Sequence, residues 1–431
     1  MSVAPGTDAP VVPTNNLKAH GRALAGIGIV SGVGILATAG FQFVCIRGLG
    51  PSGYSLLASL LAFLNVISIG SSALRNSVAV GVAEDIAAGV KHKRRRFLDG
   101  GAVEALVLGG ICVVAIAAAA PVLAGDLQAG IGPLLIVALS AVPYFLFSRA
   151  QGLLQGAGRS TTVVLWSTGA QVAQFILATV VVLVWRSAVG VIVVLLVIGV
   201  LGSLGAGLQA GRHGLRTGQR AFTATALVVI LLTVVFTWLT SIDVVLVRSE
   251  VSAAEAGAYA AAATLIKTTL IVPATLSLYL LPRFVGHRTN ASLTKLGVNV
   301  TLGLAALAGL AMAGVVALWG SSIVLVFGGG YGQASELLVP LALAWIPWTM
   351  AQSLLIRITA ASSRVALALL VVIAAVQWGI GRLVLPDLHQ FIAFNAGVGA
   401  AALAVLYSVH LVLLRKASRA TSDLNGKPAQ V

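Results

Sequence analysis

Charge is what this sequence has least of. Asp, Glu, Lys and Arg make up 9% of its 431 residues, against about 25% in soluble domains, too little to cover a water-facing surface. Acid is scarcer still, with 12 Asp and Glu against 27 Lys and Arg. The apolar stretches lack the alternation of apolar and polar residues that a membrane β-barrel needs. The opening MSVAPGTDAPVVPTNN lacks the charged-then-apolar order of a signal peptide and reads as a short disordered cytoplasmic tail. Two cysteines, Cys45 and Cys112, sit in or beside different apolar runs and read as buried thiols rather than a disulfide or metal site. Six histidines are scattered without metal-ligand spacing, so no metal or cofactor is expected. GGGYG (328–332) has no Lys-Ser/Thr after it and is no phosphate cradle.

What is present is hydrophobic: 58% of the chain. Apolar runs fall at about 23–46, 53–76, 97–120, 131–149, 161–185, 187–209, 222–247, 257–281, 296–320, 334–356, 365–386 and 391–414. Each is about 20 residues, enough to cross a hydrocarbon core of about 30 Å. The expected fold is an all-α polytopic membrane protein of about 12 transmembrane helices, in two parallel six-helix lobes around a central cavity. Residues 1–20 would be a tail, 21–210 the N-lobe, 211–221 an inter-lobe loop on the cytoplasmic side, 222–415 the C-lobe and 416–431 a second tail.

Basic residues orient the chain. With the N-terminus inside, 21 of the 27 lysines and arginines fall on the cytoplasmic side, as the positive-inside rule requires. Arg47, Arg186 and Arg248 fall outside, and Arg75, Lys267 and Arg382 lie within spans. Both termini are therefore expected in the cytoplasm, with the chain in the cell (cytoplasmic or inner) membrane. The net charge of +15 is then mostly a topology signal, and nucleic acid is not an expected partner. KHKRRR (91–96) reads as loop anchoring, with anionic headgroups as the alternative partner.

The two halves echo one another. LLIVALSAVPYFLFSRAQGLLQGAGR (134–159) resembles LLVPLALAWIPWTMAQSLLIRITAASSR (337–364), each with a Pro-aromatic pair and a late arginine, Arg159 or Arg364. An offset of six helices keeps both copies in the same orientation, and transport sites lie between such repeats.

Polar residues in a bilayer should face protein or water. Asn65, Ser68, Ser72, Arg75 and Asn76 form one stripe on the second span. Ser31, Thr38 and Gln42 share a face of the first, Ser167, Gln171 and Gln174 of the fifth, and Thr233, Thr237 and Thr240 of the seventh. The threonine and serine stripes also fit plain helix–helix hydrogen bonding, at about 0.6 kcal/mol per bond. On the eighth span Thr264, Lys267, Ile271 and Ala274 align, with Pro273 positioned to kink the helix. Lys267 lies about 15 Å deep at 1.5 Å per residue, where an unpaired cation costs roughly 3 kcal/mol, so it reads as a cation facing a water-filled cavity and awaiting an anion. Asp243, near the outer end of the seventh span, is a candidate to pair with a neighbouring cation or to carry a coupling proton. Arg382 lies near the outer end of its span and is expected to snorkel.

RGLGPSGYSLLASLLAFLNVISIGSSALRNSVA (47–79) resembles the first-to-second helix region of Wzx-type polysaccharide flippases, within the multidrug, oligosaccharidyl-lipid and polysaccharide (MOP) exporter superfamily. SIDVVLVRSEVSAAEAGAYAAAATLIKTTLIVPATLSLYLLPRF (241–284) is similar to that family's seventh-to-eighth helix region, and GLLQGAGRS (152–160) and VFGGGYGQASELLVPLALA (326–344) resemble two further family stretches. The resemblance implies a non-enzymatic flippase carrying a polyprenyl-phosphate- or pyrophosphate-linked sugar for cell-envelope polysaccharide, by alternating access. Glycosyltransferases or polymerases of the same pathway would be its protein partners. By position, Arg75 and Lys267 would take the cationic role, with Arg47 and Arg248 weaker candidates at the outer mouth. Asn65, Ser72, Asn76, Gln42 and Gln171 complete the expected substrate set. Three other functions compete: a drug/cation antiporter, which wants a buried carboxylate; a membrane glycosyltransferase, which the short outer loops without a paired Asp motif disfavour; and a non-transporting partner of a glycosyltransferase.

Overall fold

The computed structural model describes residues 15–89, 100–215, 224–271, 273 and 291–425. The N-terminal tail, KHKRRR, most of the inter-lobe loop, Ala274 and the far end of the eighth span lie outside them. The described residues are mostly helical, with no strand among them, and all twelve expected spans have helical counterparts. In chain order the helices are α1 (Asn15–Ala87), α2 (Gly100–Asp126), α3 (Ile131–Gly156), α4 (Ser160–Trp185), α5 (Ala188–Arg212), α6 (Ala224–Glu250), α7 (Ala253–Lys267), α8 (Ala291–Phe327), α9 (Ala334–Ala344), α10 (Ile346–Ala360), α11 (Arg364–Val384) and α12 (Leu388–Asn425). "Inner" below means the end carrying the N-terminus and the basic loops; "outer" is the opposite end.

Three elements depart from a simple helix-per-span reading. The first two spans join as one element, α1, turned by Gly50 alone (φ 67°, ψ 176°). That backbone is costly for a residue with a Cβ, and Pro51 starts the second arm without needing a backbone donor. The tenth span is broken at Trp345 into α9 and α10, bent by 40°, with Pro347 opening the second piece and removing a donor. Its echo Pro143 sits inside the continuous α3. The eighth span leaves α-helical geometry at Lys267, where a 3₁₀ turn, Thr268–Leu270, follows.

The packing order repeats in the two halves. In the N-lobe α3 holds the centre, touching α1, α2 and α5, while α4 joins α1 to α5. In the C-lobe the broken α9–α10 pair holds the same place against α7, α8 and α12, while α11 joins α6 to α12. Two lobes built on one packing scheme are what a duplicated six-helix unit produces. Helix starts facing water are closed by side chains. Ser252 and Glu255 form a reciprocal cap on α7, and Asp387 accepts from the amides of His389 and Gln390 at the start of α12. Those amide bonds hold the Asp387 carboxyl below its ordinary range.

Candidate functional site

The lobes meet along α1, α6 and α7, and their outer ends are sealed. Gly257 of α7 lies so close to Pro51 of α1 that a Cβ there would overlap the Pro51 carbonyl. Tyr54, fully buried, donates to Gln42 at 3.1 Å and shares a 2.8 Å hydrogen bond with Thr264. Arg248 donates through Nη1 to Ser55 at 2.6 Å and through Nε to the Leu127 carbonyl at 3.2 Å. Arg47 donates to the Val326 carbonyl at 3.2 Å, and Tyr331 to the Ile46 carbonyl at 2.6 Å. Arg382 does more than snorkel: it pairs with Asp126 of the N-lobe at 2.8 Å and Glu250 of the C-lobe at 2.9 Å. Arg47 and Arg248 therefore each donate across the closed outer end in this state, and Gln42 accepts from Tyr54 there. Farther in, Asn65 donates to Ser241 at 3.2 Å across the lobes, and Phe63 meets Trp238 edge-on.

Lys267 requires a correction. It was expected to be a cation awaiting an anion, but its Nζ lies 2.7 Å from Asp243 Oδ1. Tyr259 donates to the other carboxylate oxygen at 3.0 Å, and the Trp345 ring lies 4.8 Å from the ammonium. Asp243 is wholly buried. The α6–α7 hairpin brings the two charges together, and the lysine stem spans the difference in depth that had separated them in the sequence. Of the two roles open to Asp243, pairing is the one observed. Tyr259 and Trp345, missed in the sequence, complete this cluster; its only signal there was an aromatic residue eight positions before the lysine.

Arg75 is in the opposite situation. It lines a cavity of about 380 Å³ between α1, α3 and α4, together with Ser31, Gln155, Ser160, Ser167, Thr168 and Gln171. Its Nε is shielded from solvent without a hydrogen-bond partner, and among the described residues its guanidinium has no counter-charge. The α3 backbone fixes its height by packing Gly152 against the Arg75 carbonyl. Two wall hydroxyls are already engaged: Ser167 accepts from Gln151 at 2.9 Å, and Thr168 donates to the Val30 carbonyl at 3.2 Å. Expected residues Arg75 and Gln171 thus come together, with Ser31 from the first-span stripe. Ser72 is half-buried and Asn76 exposed on the same arm as Arg75, outside the cavity wall. Gln155 and Ser160 were missed; they lie in the GLLQGAGRS stretch, which the sequence marks only by Arg159 and a family resemblance. The seventh-span stripe carries no site: Thr233, Thr237 and Thr240 bond back to carbonyls of their own helix. Cys45 and Cys112 are unpaired thiols.

No protein-family model and no curated protein matches the sequence. Solved structures do match its fold. An inward-facing multidrug-resistance MATE transporter of the MOP superfamily aligns with TM-score 0.64 at 14% identity, over 91% of this chain and 96% of its own. The eukaryotic MATE transporter AtDTX14 aligns with TM-score 0.61 at 13% identity, over 93% and 99%. A MOP-superfamily transporter from Pyrococcus furiosus, described as having a binding pocket of reverse polarity, aligns with TM-score 0.50 at 14% identity, over 94% and 95%. The chain has the two-lobed, all-helical fold of the MATE transporters of the MOP superfamily.

Proposed function

We propose that this protein exports a polyprenyl-linked sugar whose phosphate is held by Arg75, moving it across the cell membrane by alternating access of the two lobes. The observation that carries the reading is Arg75 itself, a guanidinium without a counter-charge among the described residues, on the wall of a cavity lined by both polar side chains and Ile35, Val163 and Val164. A desolvated cation is costly without a partner, and a phosphate oxygen pair matches its fork of donors. The sealed outer end leaves the inner side as the side of loading, where a lipid-linked sugar made in the cytoplasm would arrive. In this reading the polyprenyl tail stays in lipid, both termini are cytoplasmic, and envelope glycosyltransferases or polymerases are the protein partners. Asn65, Ser72 and Asn76 line the path the headgroup takes between the lobes, and Arg47 and Arg248 meet it only after the outer seal opens.

The fold serves the drug/cation antiporter reading equally well, and the buried carboxylate of Asp243 favours it. That carboxylate, however, already has the ammonium of Lys267 at 2.7 Å and the Tyr259 hydroxyl, so it is not free for a cationic drug in this state. A non-transporting partner of a glycosyltransferase would not need Arg75 at all. The deciding experiment reconstitutes the protein in vesicles and follows outward movement of a fluorescent short-chain polyprenyl-phosphate sugar. Arg75→Gln should lower the rate at least tenfold at equal protein level. Wild-type rates in that variant, or proton-driven export of a cationic dye without lipid movement, would sink the proposal.

A further inference from the structure

We infer that the headgroup taken by the Arg75 cavity is a single phosphodiester carrying one small sugar, rather than a diphosphate carrying an oligosaccharide. This rests on the exporter reading and narrows it. Charge is the first argument. Among the described residues Arg75 is the one charged side chain on the cavity wall, and of the other cations within spans Lys267 is matched by Asp243 and Arg382 by Asp126 and Glu250. The arginines at the outer end donate to carbonyls, hydroxyls or carboxylates of the seal. A phosphodiester brings one negative charge and leaves the site neutral. A diphosphate diester brings two, and the second would sit partly desolvated without a partner.

Size and the neutral donors agree with the charge. A volume of about 380 Å³ is at the low end of the roughly 300–1,000 Å³ that hold small-molecule ligands, room for a phosphate and a sugar ring. The side chains of Ser31, Gln155, Ser160 and Gln171 face this space and make no hydrogen bond to another described residue. They offer uncharged donors and acceptors of the kind sugar hydroxyls use. A glycerol-bearing phospholipid such as phosphatidylglycerol shares this chemistry, being also a monoanionic phosphodiester with a small polyol.

The test measures equilibrium binding of three probes to the full-length protein in phosphatidylcholine nanodiscs: farnesyl-phosphoryl glucose, farnesyl-diphosphoryl glucose and short-chain phosphatidylglycerol. The monophosphate sugar should bind at least tenfold tighter than the diphosphate, and a tenfold excess of phosphatidylglycerol should fail to displace it. Arg75→Gln should weaken it at least tenfold without lowering the thermal midpoint. Gln171→Arg, adding a second cation to the wall, should bring the diphosphate level with the monophosphate. Equal or tighter Arg75-dependent binding of the diphosphate overturns this inference and leaves the exporter reading standing. Displacement by phosphatidylglycerol overturns the sugar assignment. Binding of neither sugar lipid in an Arg75-dependent way overturns both readings.

Discussion

The two lobes share a packing scheme and treat two half-buried cations of their spans, Lys267 and Arg75, in opposite ways. In the C-lobe, Lys267 is neutralised within its own hairpin by Asp243, with Tyr259 and Trp345 around it. In the N-lobe, Arg75 stands at a cavity wall with no counter-charge among the described residues. Duplication supplies the scaffold twice, while the chemistry is placed once. On the proposed reading, the satisfied pair holds its lobe together and the unmatched cation is left for a ligand. Stability and function should therefore separate between the lobes.

The sharpest way to break this contrast is to remove one member of the C-lobe pair. Asp243→Ala strands an ammonium beside an empty site, and a broken buried pair costs about 3–5 kcal/mol. Thermal unfolding in detergent should show a large drop, and the double replacement Asp243→Leu with Lys267→Met should recover most of it. A single and a double variant of equal stability would mean that the pair does not hold the lobe. Arg75→Met tests the other side of the comparison. Relieving an unpartnered buried donor should leave the protein as stable or raise it by about 1 kcal/mol, while sugar-lipid binding is lost. A clear loss of stability there would place Arg75 among the structural residues.

The seal between the lobes gives a smaller effect. Gly257→Val cannot keep α7 against the Pro51 carbonyl, so the outer ends should part. Spin labels at Ser52 and Ala254, both exposed, should report a longer and broader distance. An unchanged distance would mean the seal does not depend on that approach. The smallest effect is expected from Arg382→Ala. Its pairs with Asp126 and Glu250 are partly exposed and are worth about 0.2–1 kcal/mol, so the same labels should show a slight shift that vanishes in high salt.

Much of this comparison was written in the sequence. Twelve apolar runs and their Pro-aromatic echo were enough for the two lobes, because a bilayer leaves a chain of this composition few other options. The stripes on the second and fifth spans carried Arg75 and Gln171, which the fold brings to one cavity. That Asp243 could pair with a cation was legible, but Lys267 as its partner was not, since depth counted along each helix separately ignores how far a lysine stem reaches and how adjacent helices are staggered. The break at Trp345 was also hidden. Pro347 and Pro143 sit in matching motifs, yet the helix breaks beside one and continues through the other, a difference the shared motif does not carry.

The face that α7 turns to the N-lobe runs from Gly257 through Ala260 and Ala261 to Thr264, one helical stripe, and the alanines around it are fully buried. Larger side chains interlock as ridges in grooves and must climb out of them before two helices can slip. A stripe of hydrogen, methyl and hydroxyl groups has almost no relief to climb. Once the Tyr54–Thr264 bond is released, α7 meets the N-lobe along a nearly smooth track, and the relief that remains between the lobes lies on α6, where Phe63 meets Trp238 and Asn65 bonds Ser241. Enlarging Ala260 or Ala261 should then slow the conformational cycle more than it weakens either end state.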